Sequence, residues 1–175
     1  MTQAIEAAGA AAKQPPRWPR LLLLIAAVIE FLGGLGALPI LFGDLNEVPG
    51  PGLGGQIILA GIVLQPLLAL AALFFTVRGK IPYALVAMAF IILMAWLSYV
   101  PSVRLHGLDL SQGDAFTASM LGWQLIGAPV VALSVAGLAL RETQLTLATV
   151  LAVLPTLAHV LSVIVFGISV AIYGF

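Results

Sequence analysis

The stretch RLLLLIAAVIEFLGGLGALPILF, residues 20–42, decides how the chain is read. It carries one cation at its start and one acid, Glu30; the rest is apolar residues, glycine and one proline. A helix rises about 1.5 Å per residue, so about 20 residues cross the roughly 30 Å hydrocarbon core of a bilayer. The run is long enough to do so. Four more such runs follow, at residues 54–77, 82–100, 116–140 and 145–173. Membrane strands would need alternating polarity along short segments. These runs are apolar on every face, so helices are expected. The reading is an all-α, polytopic integral membrane protein: a compact bundle of five transmembrane helices.

Composition supports that reading. The chain has 175 residues, is 62% hydrophobic and 8% charged, and has a mean hydropathy of +1.16. A soluble domain carries about 25% charged residues. So apolar a chain could not cover its core with polar surface in water, whereas lipid tails solvate apolar helix faces directly. There are no cysteines, which excludes disulfides, thiolate catalysis, iron–sulfur clusters and cysteine zinc sites. Cations and anions balance at seven each, no basic run points to nucleic acid, and no phosphate-cradling glycine loop stands between a strand and a helix.

The cations give a direction. Lys13, Arg17 and Arg20 precede the first run, Arg78 and Lys80 separate the second from the third, and Arg141 separates the fourth from the fifth. Only Arg104 falls on the other side. Positive residues stay on the cytoplasmic side, so the N-terminus is expected in the cytoplasm and the C-terminus outside, in a bacterial-type plasma (inner) membrane. Residues 1–19 are expected as a cytoplasmic segment, partly mobile, and residues 20–175 as a single transmembrane domain. Pro19 favours a helix start at that point. The first run resembles a signal peptide in having cations before it, but it is too long, is interrupted by Glu30, and has no small-x-small cleavage site after it. Pro49-Gly50-Pro51-Gly52 signals a turn in the first outer loop.

Polar residues inside the runs are the candidate site. Glu30 is the only acid within a run. A charge at mid-membrane costs roughly 2.5–3.5 kcal/mol on insertion scales. Residues three and four away on either side, and seven ahead, share its helix face: Ala26, Ala27, Gly33, Gly34 and Ala37, all small. Small residues line helix contacts because backbones can approach there, so Glu30 is expected to face the bundle. Gln65 shares a face with Gly61, Ala69 and Ala72, and His159 with Ala152, Pro155, Thr156 and Ser162. From the cation-bearing ends, Glu30, Gln65 and His159 lie at about 15, 18 and 21 Å. One polar layer across three helices is expected, with a Glu30–His159 pair and Gln65 beside it. It would serve as a proton relay, a ligand contact or a helix contact. Ala128, Ala132 and Ala136 mark a packing face on the fourth run. In the outer loops Asp44, Glu47, His106, Asp109 and Asp114 match neither an EF-hand nor a His-x-x-x-His spacing, and read as solvated loop residues.

No catalytic set and no metal site emerge. Bis-histidine haem would need two histidines within the membrane, and only His159 is there. The expected function is therefore a non-catalytic accessory or scaffolding subunit of a larger inner-membrane complex. Its partners would be membrane lipids and other integral membrane subunits, not nucleic acid. No cofactor is expected beyond a lipid or quinone held between helices. The alternative is a small proton-linked carrier using Glu30 and His159; a membrane enzyme or haem protein ranks last.

Overall fold

The computed structural model describes residues 17–43, 52–106 and 122–174, with the backbone alone over 99–106. Among the described residues all regular structure is helical, and five helices are long and apolar enough to cross a membrane. The chain is a multi-pass membrane protein. α1 is Trp18–Ala37, tightening into a 3-10 turn over Leu38–Phe42. α2 is Leu53–Val77 and α3 is Ile81–His106. α4 is Ala128–Leu140, entered through a π-helical turn at Trp123–Gly127. α5 is Leu145–Tyr173.

Pro19 sits in the first turn of α1, where its missing N–H costs nothing. α3 corrects one expectation. The third run was expected to end at residue 100, yet the helix runs on through Pro101 to His106. A proline removes only one ladder bond, and the turns on either side can carry the helix through it. The expected N-terminal segment up to residue 16, most of the first outer loop, and residues 116–121 of the fourth run lie outside the described residues. So do Asp44, Glu47, Asp109 and Asp114.

Two tight turns build antiparallel hairpins. α2 ends with Gly79 at φ +74, while Lys80 N–H reaches back to the Phe75 carbonyl at 2.8 Å. That is a Schellman closure, and glycine adopts its left-handed position freely. The α4–α5 turn makes the same closure, Thr143 N–H to the Leu138 carbonyl at 3.1 Å, but with Glu142 at φ 52. Arg20 links the first helix to the first hairpin. Its guanidinium donates to the Thr76 carbonyl at 3.0 Å and to the Val77 carbonyl, at the C-terminus of α2. Orphan carbonyls and a negative helix end both favour a cation there. Arg78 stacks on the Phe74 ring at 4.5 Å nearby.

α3 is the central helix, packed on α2 and α4 and touching α1 and α5. α5 lies against α1 and α4. The core is built largely of alanine: Ala26 and Ala27 of α1, Ala69 and Ala72 of α2, Ala84 of α3, Ala132 and Ala139 of α4, Ala148 and Ala152 of α5. Leu23, Leu85, Met88 and Val135 are the large side chains sealed among them. Small side chains let helices approach and gain dispersion contacts that lipid cannot offer. These buried residues concentrate in the half of the bundle nearer the cation-bearing turns. Beyond Thr156, α5 is largely exposed. The bundle is thus tight in one half and open between its helices in the other, and the polar layer sits at the transition.

Candidate functional site

Glu30 lies on α1, about 18 Å along the helix from Trp18 by the helical rise. Its carboxylate accepts two hydrogen bonds from two other helices. Gln65 of α2 donates through Nε2 to Oε2 at 3.0 Å. Thr156 of α5 donates through Oγ1 to Oε1 at 2.6 Å. Each oxygen therefore has a partner, and the acid fastens three helices at one depth. Glu30 and Gln65 are half-buried, and Thr156 is buried.

The expected Glu30–Gln65 association is present in this geometry. The expected Glu30–His159 pair is not formed: Thr156 makes that bond instead, and among the described residues no hydrogen bond joins His159 to Glu30. Depth explains the difference. Thr156 lies about 16 Å from Leu145 along α5, level with Glu30, whereas His159 is one turn farther out at about 21 Å. Thr156 was already visible on the polar stripe of the fifth run. A search for hydroxyls at matching depth, rather than for titratable groups alone, would have found it.

His159 instead lines space. A half-open cavity of about 340 Å³ lies between the helices, bordered by residues of all five. Glu30, Gln65, Gln124 and His159 supply its polar wall, and Trp96 and Trp123 its aromatic wall. A second hollow, of about 560 Å³, opens between α1 and α5. Glu30, Gln65 and His159 border this one too, together with Gly33 and the apolar Ile29, Val160, Val163 and Ile164. The polar cluster is the shared wall of the two spaces.

Trp96 is tied in place by a hydrogen bond, and Trp123 lies over a glycine of its own helical turn. Pro129 has no N–H to give the Leu125 carbonyl, and the backbone relaxes into the π-helical turn, where Ala128 N–H reaches the Trp123 carbonyl. Trp96 fills the vacancy: its indole Nε1–H donates to the Leu125 carbonyl at 3.2 Å. The Trp123 ring lies over Gly127, where a Cβ would collide with it. Trp96 and Trp123 both line the cavity. Gln124 also borders this space.

The small residues divide. Ala26, Gly34, Gly61, Ala69 and Ala132 are buried, and Ala37, Ala128 and Ala136 are half-buried. At Gly34 a Cβ would stand 2.9 Å from Pro66 Cδ and 3.0 Å from its nitrogen, so α1 rests directly on the proline of α2. At Gly61 a Cβ would stand 2.7 Å from Ser98 Oγ of α3. Gly33, expected on the packing face, is exposed, with nothing within 4 Å of an added Cβ. It borders the hollow rather than a neighbouring helix.

Among the described residues no group of three or more His, Asp or Glu is placed to hold a metal ion, and no buried side-chain nitrogen or oxygen lacks a partner. Comparison with protein-family models, curated proteins and solved structures gave no match.

Proposed function

We propose that the chain is a non-catalytic accessory subunit of a larger inner-membrane assembly, and that it holds a lipid-soluble ligand in the cavity beside Glu30. One observation carries this reading: Glu30, Gln65 and His159 wall both the central cavity and the hollow between α1 and α5. A satisfied carboxylate that ties three helices suits a scaffold. A cavity at mid-depth with a polar end and an aromatic side suits a ligand drawn from the bilayer. Ligand pockets of about 300–1,000 Å³ with few polar groups among apolar ones are the usual form of such sites. The orientation that fits the cations places the turns bearing Arg78, Lys80 and Arg141 in the cytoplasm.

Isolation from the native membrane in mild detergent, with mass spectrometry of proteins and extracted small molecules, tests the reading. The expected result is one stoichiometric membrane partner together with a lipid-soluble compound. Glu30→Gln is expected to keep the partner and to diminish the compound. A chain that runs alone, with neither, would overturn the reading. Reporters fused before Met1 and after Phe175 should light on opposite faces; the same face for both would overturn the orientation.

A proton-linked carrier is the second reading. It is favoured by one fact, that an acid and a histidine border two spaces on either side of one cluster. Flux into liposomes that vanishes in Glu30→Gln would select it over the first.

A further inference from the structure

We infer that the ligand is a quinone or quinol, and that it enters sideways from the bilayer between α1 and α5, past Gly33. This rests on the ligand-holding part of the reading above, and does not depend on the accessory-subunit part.

Three features of the site converge on that class of molecule. The first is depth. The polar cluster stands about 18 Å along α1, near the middle of a roughly 30 Å core. A phospholipid keeps its charged head at the interface, because a charge at mid-membrane is costly. The occupant's polar end must therefore be neutral. The second is shape and chemistry. Trp96 is tied to the Leu125 carbonyl, and the Trp123 ring lies over Gly127. Flat aromatic walls favour a flat ring in offset or edge contact. The polar wall offers donors in the amides of Gln65 and Gln124 and the imidazole of His159, and acceptor lone pairs on Glu30 beyond those used by Gln65 and Thr156. Ring carbonyl oxygens accept from the donors, and a ring hydroxyl donates to the carboxylate. A cavity of about 150 Å³ takes benzene; the cavity here, at about 340 Å³, has room for a ring with substituents. The third is the route. The hollow between α1 and α5 shares Glu30, Gln65 and His159 with the cavity and is otherwise walled by Ile29, Val160, Val163 and Ile164. Those side chains suit an isoprenoid tail. Gly33 leaves the gap open, since nothing lies within 4 Å of the position a Cβ would take.

The inference concerns binding and entry, and assigns no electron transfer to the chain. The protein has three tryptophans, and Trp18 is remote from the cavity at the start of α1. In a Trp18→Phe background the remaining fluorescence therefore reports the cavity. The experiment places this protein in phospholipid nanodiscs and adds a decyl-chain benzoquinone, so that bilayer phospholipid, present in excess, is the competing occupant. The expected result is saturable quenching. Gly33→Phe is expected to slow association roughly tenfold, as a step that must now displace a side chain should. Gly36→Phe is the control, because Gly36 is also exposed with open space around it but does not border the hollow. If Gly33→Phe yields no folded protein, Val163→Phe on the opposite wall carries the same test. Quenching that rises in proportion to quinone without saturating would overturn the ligand class. Saturable quenching with equal rates in the blocked and control variants would overturn the route. Either failure leaves partner association in detergent untouched, so it is distinguishable from failure of the accessory-subunit reading.

Discussion

Trp96 of α3 donates its indole N–H to the Leu125 carbonyl at 3.2 Å, and Leu125 stands four residues before Pro129. The bond replaces the one that proline cannot make, across a helix interface and within the membrane, where no bulk water can stand in. Trp96→Phe keeps most of the ring and removes the donor. It should lower stability by about 1–2 kcal/mol, the usual cost of stranding a carbonyl. In a Pro129→Ala background the backbone N–H returns and the same substitution should cost well under half as much. A double-mutant cycle by unfolding in mixed micelles measures this; equal costs in both backgrounds would show that the two groups are not coupled.

Gly34 and Gly33 are neighbours in sequence with opposite surroundings. Gly34 abuts the Pro66 ring and backbone, while Gly33 faces open space. Gly34→Ala should destabilise the protein by roughly 1–3 kcal/mol, because a proline backbone cannot move aside as a flexible side chain can. Gly33→Ala should be neutral or stabilising by up to about 1 kcal/mol, since alanine is the better helix former. Thermal unfolding of both variants in the same detergent checks the contrast.

These contacts show how far the sequence reaches. The five spans were legible because hydropathy over about 20 residues reports the solvent directly, with no need of tertiary detail. Glu30 and Gln65 were legible as members of one layer because depth along a helix follows from residue counting, although the pair expected of Glu30 was with His159. Gly33 and Gly34 could not be told apart that way. They lie three and four residues from Glu30, on one broad face, and only the crossing point of α2 decides which of them meets Pro66. The π-helical turn was out of reach for the same reason: Pro129 announces a missing donor, but the donor that answers it comes from Trp96, a residue from another helix. His159 was favoured over Thr156 because titratable groups attract attention, while the bond itself follows depth.

The clasp around Glu30 should be stronger at Thr156 than at His159. Thr156→Val removes the 2.6 Å donor at nearly constant volume. It should cost about 1 kcal/mol, within the range measured for hydrogen bonds between membrane helices. His159→Ala removes no hydrogen bond among the described residues and should change stability by less than about 0.5 kcal/mol. Unfolding in mixed micelles ranks the two; a larger loss at His159 would mean that the histidine, not the hydroxyl, holds α5 to α1.

The α4–α5 turn holds a different kind of reserve. It uses the same backbone closure as the α2–α3 turn, yet places Glu142 at φ 52 where the other places Gly79 at φ +74. A side chain in the left-handed region costs about 1–2 kcal/mol that glycine does not incur. Glu142 is exposed and none of the side-chain bonds described above involves it. Glu142→Gly should therefore raise stability by about 1 kcal/mol, less the extra backbone entropy that glycine loses on folding. Gly79→Ala should lower stability by a similar amount, because the strain is then introduced rather than removed. Melting temperatures of the two variants should move in opposite directions from the parent. A fall for Glu142→Gly would mean that the carboxylate supports the turn by a contact beyond the backbone closure.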